Sequence, residues 1–85
     1  MNVIRWSPRA ARQLRKIKDA ATRQRIFRKV QALKDFPHCS GIKHLVNHRP
    51  AYRLRVGDWR VLFDFDDTVQ VISIEAVKKR DEQTY

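Results

Sequence analysis

The chain predicts a two-layer α+β fold in the order β-α-α-β-β-β, with two N-terminal helices packed on one face of a small, mostly antiparallel sheet. Three observations lead there. Ser7-Pro8 opens a stretch whose apolar residues recur at helical spacing. Residues 52 to 65 alternate with a period of two on both sides of Gly57-Asp58, and a second alternating run follows Asp66-Asp67. The 85 residues have room for one modest core, so residues 1–85 read as a single domain, without linker, repeat or low-complexity segment.

Asn2 to Trp6 alternates apolar and polar residues and reads as a short first strand. Ser7 suits a helix N-cap, and Pro8 suits the first helical position, where its missing N–H costs nothing. Ala10 or Ala11, Leu14 and Ile17 then mark a helix from roughly residue 8 to 18. Asp19 or Thr22 caps a second helix with the apolar stripe Ile26, Phe27, Val30 and Leu33. It should stop at Phe36, because Pro37 disfavours a helical residue before it. Residues 37 to 51 hold two prolines, Gly41, all three histidines and the only cysteine, and read as a loop with Ile42 and Leu45 tucked onto the core.

The next segment is a hairpin. With Gly57 and Asp58 as the turn, Val56 pairs with Trp59, Arg55 with Arg60, Leu54 with Val61 and Arg53 with Leu62. Paired residues share a face, so Tyr52, Leu54, Val56, Trp59, Val61 and Phe63 point to the core while Arg53, Arg55 and Arg60 converge on the other side. Reading Asp66-Asp67 as a two-residue turn makes Thr68 to Ala76 the last strand. Phe65 would then pair with Thr68, Leu62 with Val71 and Arg60 with Ser73. That register adds Val69, Val71 and Ser73 to the arginine face, beside Leu62, and leaves residues 77 to 85 as a polar tail. Like charges directly opposite one another destabilise a sheet. Three guanidiniums on one pleated surface read either as a solvated face paired with Asp58, Asp64 and Glu75 or as a seat for a polyanion, phosphate first.

Lys plus Arg number 19 against 9 acidic residues, a formal net charge of +10. That excess favours nucleic acid, an anionic membrane surface or an acidic protein segment. No run of 18 apolar residues and no signal-peptide pattern supports the membrane. Cys39 stands alone, which excludes an internal disulfide and a cysteine-rich zinc site and fits a reducing cytoplasm. Nothing points to a metal or cofactor. Trp6 and Trp59 read as core aromatics, and His38 and His44 as loop residues. Arg9, Arg12 and Lys16 on the first helix, with Lys79, fit a solvated face and an RNA-backbone grip equally well.

On these residues the chain resembles the RelE/ParE superfamily of type II toxin–antitoxin toxins. The matching stretches are Ser7-Pro8-Arg9-Ala10-Ala11-Arg12-Gln13-Leu14, Gly41-Ile42-Lys43-His44-Leu45, Tyr52 through Phe63, and the tail through Tyr85. The resemblance implies a small toxin neutralised by a protein antitoxin, in a hetero-oligomer. In the RelE branch, the leading reading here, it implies metal-independent cleavage of mRNA in the ribosomal decoding site. In the ParE branch it implies inhibition of DNA gyrase without nuclease activity. A third reading is a catalytically dead nucleic-acid-binding module.

Carried over position by position, the RelE pattern puts its catalytic residues at Arg53, Arg55, Arg60, Arg80 and Tyr85. Anchoring the tail on Val77 selects Arg80; anchoring on Tyr85 selects Lys79. Arg55 and Arg60 suit charge stabilisation on the phosphorane, Arg53 the neighbouring backbone, Arg80 the leaving oxygen, and Tyr85 a splayed base or the 2′-hydroxyl. RelE itself has lysines where Arg53 and Arg55 stand here, and an arginine is a poor proton acceptor. The base is then Tyr85, or His48 from the loop, or orientation and charge stabilisation carry the rate without one. Leu62, Val69 and Val71 form an apolar strip fit for an amphipathic, acidic antitoxin segment.

Overall fold

The computed structural model describes residues 1–80. Its helices are α1 (Pro8–Arg15) and α2 (Ala20–Gln31), the latter running into a 3₁₀ turn at Ala32–Asp35. Five strands form one sheet: β1 (Val3–Trp6), β2 (Ile42–His44), β3 (Tyr52–Val56), β4 (Trp59–Asp66) and β5 (Val71–Lys79), in the spatial order β1-β5-β4-β3-β2. The β1–β5 pair is parallel and the others are antiparallel. The α+β reading holds, with one strand more than the sequence suggested. Among the described residues no helix is long and apolar enough to cross a membrane.

Local chemistry starts and stops the helices where expected. The Ser7 hydroxyl accepts from the Ala10 amide at 3.0 Å, with Pro8 at the first helical position. Helix α1 ends at Arg15, sooner than its apolar spacing implied, and Arg23 of α2 donates to the carbonyls of Ile17 and Lys18 just beyond that end. Asp19 caps α2 without bonding its amides; Thr22 instead donates to the Asp19 carboxylate at 2.6 Å. The helical stretch gives out at Phe36, before Pro37. The Phe36 ring then sits edge-on to Phe65, Tyr52 and Phe63, with centroids 5.0 to 5.5 Å apart.

The helices cover the predicted face. Ala10, Ile17, Ile26, Val30 and Leu33 pack against Leu54, Val56, Val61, Phe63, Ile72, Ile74 and Val77 in one buried cluster. Phe27 departs from the expected stripe: it is 46 % exposed and stacks on Trp6 at 6.2 Å. One residue past Ile26 is about 100° around the helix, at the margin of the buried stripe.

Two features were not anticipated. Strand β2 lies in the segment read as a loop, pairing Ile42 with Leu54, Lys43 with Arg53 and His44 with Tyr52. Three residues are too few to show alternation, so only the partner strand defines it. The second is the β4–β5 register. The turn between these strands has four residues, 67 to 70, because the Asp66 carboxylate accepts from the Thr68 amide at 3.0 Å and hydroxyl at 2.6 Å and so keeps Thr68 out of the strand. Asp66 therefore pairs with Val71 and Phe65 with Ile72; the expected pairing of Arg60 with Ser73 does not occur.

A β-bulge then shifts the register again. Phe63 opposes Ile74 but Leu62 opposes Ala76, leaving Glu75 as the extra residue. Helix α1 satisfies the backbone this disturbs. Ser7 donates its hydroxyl to the Glu75 carbonyl at 3.3 Å, and the Gln13 side-chain oxygen accepts from the Val77 amide at 2.7 Å. Beyond the bulge, Val61 pairs with Val77, Arg60 with Lys78 and Trp59 with Lys79.

Candidate functional site

The hairpin between β3 and β4 has the register that alternation around Gly57-Asp58 predicts, with Arg55 opposite Arg60 and Arg53 opposite Leu62. Gly57 carries the turn in the left-handed region at φ +58°, and a Cβ there would lie 3.1 Å from the Arg25 guanidinium of α2. Combining the ladders gives two adjacent rows on the side away from the helices. Arg55, Arg60 and Lys78 stand abreast across β3, β4 and β5, and Lys43, Arg53, Leu62 and Ala76 stand abreast across β2 to β5. Directly paired residues in such ladders have Cβ atoms about 4.5–5.5 Å apart.

Arg55 is exposed, while Arg53 and Arg60 are half-buried. One terminal nitrogen of Arg60 donates to the carbonyls of Gly57 at 3.3 Å and Trp59 at 3.1 Å, which ties its guanidinium to the turn. The Nε of Arg53 is enclosed and lacks a hydrogen-bond partner among the described residues. A buried donor left unpaired is costly, and such groups mark places where a ligand supplies the partner. Nor does a carboxylate neutralise the row among the described residues. Asp64 accepts instead from the Ala51 amide at 2.7 Å, at the far end of the same face.

Sequence reasoning missed Lys43 and Lys78. Lys43 needed β2. Lys78 had no clear signal: Ile72, Ile74 and Ala76 continue the alternation through the bulge, and only the adjoining Val77 hints at the change of face. The same register places Lys79 opposite Trp59, so the pleat puts Lys78, not Lys79, on the side of Arg60. Arg80 follows the strand, is exposed, and donates its amide to the Asp58 carbonyl at 2.6 Å, beside the hairpin turn. Tyr85 lies outside the described residues.

His48 is half-buried, and its Nδ1 lies 2.8 Å from the Pro50 carbonyl. A carbonyl only accepts, so Nδ1 carries the proton and Nε2 bears the lone pair in the neutral ring. With Arg9, Arg49, Pro50, Leu62, Ala76 and Lys78, His48 lines a cleft of about 290 Å³. Arg9 thus reaches the site, while Arg12 on α1 and Lys16 just past its end are exposed. Burial, with Asp35 nearby, pushes the Cys39 thiol up, which suits an inert position.

The expected apolar strip is not there. Leu62 is 3 % exposed and packs beside Ala76, Val69 falls in the four-residue turn, and Val71 pairs with Val3 and Asp66 at the opposite end of the sheet. Both displacements follow from the longer turn. Val71 and Lys78 lie seven steps apart along the strand, roughly 23 Å.

The fold recurs in solved structures. The isolated RelE toxin of E. coli matches with a TM-score of 0.79 at 18% identity, covering 98% of this chain and 88% of that one. The archaeal RelE–RelB complex from Pyrococcus horikoshii matches with a TM-score of 0.79 at 21% identity, covering 96% and 98%. The toxin–antitoxin complex RelBE2 from Mycobacterium tuberculosis matches with a TM-score of 0.78 at 23% identity, covering 93% and 98%. At such identities the likeness is one of fold. No curated protein matches the sequence. A family model described as "ParE toxin of type II toxin-antitoxin system, parDE" matches residues 4–84, nearly the whole chain. The chain therefore belongs to the ParE toxin family of type II toxin–antitoxin systems.

Proposed function

We propose that this toxin is a ribosome-dependent mRNA endonuclease that blocks translation by cutting the message in the decoding site. The observation that supports it is the line Arg55, Arg60 and Lys78 across three strands, with the Arg53 Nε, unpartnered among the described residues, in the next row. Cleavage next to a 2′-hydroxyl has four requirements that side chains can meet: alignment of that hydroxyl, removal of its proton, stabilisation of the phosphorane, and protonation of the 5′-oxygen. Guanidinium forks bind phosphate oxygens in pairs and stay charged at any working pH, so Arg55 and Arg60 take the phosphorane. Arg53 holds the adjoining backbone, and Arg80 serves the leaving oxygen. His48, whose Nδ1 lies against the Pro50 carbonyl, serves as the proton acceptor. Tyr85 enters from sequence alone, as a base-stacking aromatic. The products are a 2′,3′-cyclic phosphate or 3′-phosphate and a 5′-hydroxyl.

The partner in the resting cell is a cognate antitoxin, as RelB is for the RelE of Methanococcus jannaschii. Val3 and Val69, 58% and 62% exposed, with Val71 paired to Val3, offer an apolar hold away from the arginines.

A pulse of expression followed by primer extension on a translated message tests the proposal. Cuts within codons that vanish when the start codon is removed are the expected result; an uncut message overturns it. The second reading, inhibition of DNA gyrase, is favoured by the ParE description of the family. Intact messages with accumulating DNA breaks would select it.

A further inference from the structure

The cleft beside the cationic row has a composition of its own. Its floor is Leu62 and Ala76, each 3 % exposed, and its walls are Arg9, His48, Arg49, Pro50 and Lys78. Lys78 belongs both to the cleft and to the row with Arg60, so the two are continuous. No acidic residue lines it among the described residues. Arg9 stands in the first turn of α1, where the helix dipole favours an anion over a cation. Arg49 and Lys78 add positive charge to the same small space.

Three cationic side chains around a cleft whose open faces include the His48 ring and Pro50 suit a ligand with both a flat ring and a phosphate. Size narrows the class. Small-ligand sites run from roughly 300 to 1,000 Å³, so a cleft of about 290 Å³ holds one monomer rather than a helix. We propose that this cleft is a nucleotide subsite of the RNA path, seating the nucleotide next to the phosphodiester held by Arg55 and Arg60. Its base lies against the His48 ring and Pro50, above the buried Leu62 and Ala76, and its phosphate lies between Arg49 and Lys78. The inference rests on the mRNA reading above and assigns RNA-contacting roles to Arg49 and Lys78.

The probe is a single-stranded RNA trinucleotide with 2′-O-methyl groups, which binds without being cut, titrated into the full-length chain. Amide shifts of Leu62 and Ala76 and the affinity at several salt concentrations are read out. Arg49→Glu and Lys78→Gln are each expected to weaken binding by roughly tenfold and to lower the salt slope by about 1 per phosphate contact removed. Arg28→Glu on α2, with the same charge change as Arg49→Glu, should leave affinity unchanged. Shifts confined to Arg53, Arg55 and Arg60, with both cleft variants binding like wild type, overturn the proposal. Displacement of the trinucleotide by a polyglutamate peptide that shifts Leu62 and Ala76 equally would mark an acidic-protein groove and also overturn it. Should Lys78→Gln misfold, Arg49→Glu, in an exposed loop, decides alone. A chain that leaves translated messages intact yet seats the trinucleotide here loses the nuclease reading and keeps the subsite. A chain that cuts, but whose Arg49 and Lys78 variants bind and cut as wild type does, keeps the nuclease and loses the subsite.

Discussion

On the helix side of the sheet, Val61, Phe63, Ile72 and Ile74 are fully buried within one apolar cluster. On the opposite side, at the hairpin end, Arg55, Arg60 and Lys78 face one another across the same strands with no carboxylate paired to them among the described residues. The first side is where stabilisation comes from; the second works against it, since like charges opposed on a sheet raise the energy of the folded state. A sheet can hold such a row only because the other face is dry and well packed. The division predicts that substitutions on the two faces separate stability from activity.

The largest effect is expected at Phe63. Truncation to Ala removes a fully buried ring from the cluster with Phe36 and Tyr52, at a cost of about 3–5 kcal/mol. Against the total of roughly 5–15 kcal/mol typical of a small domain, the variant should be largely unfolded or melt far below wild type. A thermal melt by circular dichroism checks this, and a near-wild-type Tm would break the comparison on its core side.

Arg60→Ala comes next and should behave in the opposite way. It removes two part-buried hydrogen bonds, to the Gly57 and Trp59 carbonyls, and also a charge that repels Arg55 and Lys78, so the two changes offset and Tm should change little. Losing one preorganised donor from the phosphorane should slow message cleavage by about 10²–10³-fold. The measurement is cutting rate per ribosome beside a melt of the same protein. A drop in activity matched by an equal drop in Tm would mean that Arg60 is structural.

The two pairings made by β4 differ in how they are specified, and the sequence showed one of them. The β3–β4 hairpin is local: a two-residue turn, unbroken alternation, and partners a few residues apart. That is why Arg53, Arg55 and Arg60 could be placed on one face from the chain alone. The β4–β5 register depends on a side-chain bond inside a turn, Asp66 to Thr68, and on helix side chains that reach the bulge from more than sixty residues away, Ser7 to Glu75 and Gln13 to Val77. No period in the sequence encodes those contacts, so Lys78 was missed and Val69 and Val71 were misplaced. Lys43 was missed because β2 exists only as an edge to β3. The cleft with Arg49 joins a loop, a helix and two strands, which alternation cannot bring together.

Ser7→Ala sharpens that contrast. Losing the N-cap costs about 1 kcal/mol and lowers Tm by several degrees in a domain of this size. The same hydroxyl also holds the Glu75 carbonyl, so amide exchange should accelerate at Val77 and Lys78 but not at Val61 within the β3–β4 pairing. Uniform acceleration across both pairings would show that the bulge does not depend on α1.

The smallest effect concerns the far end of the cationic face, where the sign of the charge reverses. Asp66 lies on the same strand and the same side as Arg60, but its carboxylate is held below the ordinary value of 3.8, first by the Thr68 hydroxyl and then by the Thr68 amide. A carboxyl that ionises more readily in the folded chain than in the unfolded one contributes stability above the unfolded pKa. That contribution fades as the pH drops below about 3.8 and through the folded value. Asp66→Asn lacks this proton-linked part, so its Tm should lie slightly below wild type near neutrality and converge on it in acid. The group is fully exposed, so the gap is small and should be followed as a Tm difference across a pH series at fixed salt. A gap that widens as the pH falls would mean that the turn, and with it the register that brings Lys78 to Arg60, is not held by the ionised carboxylate.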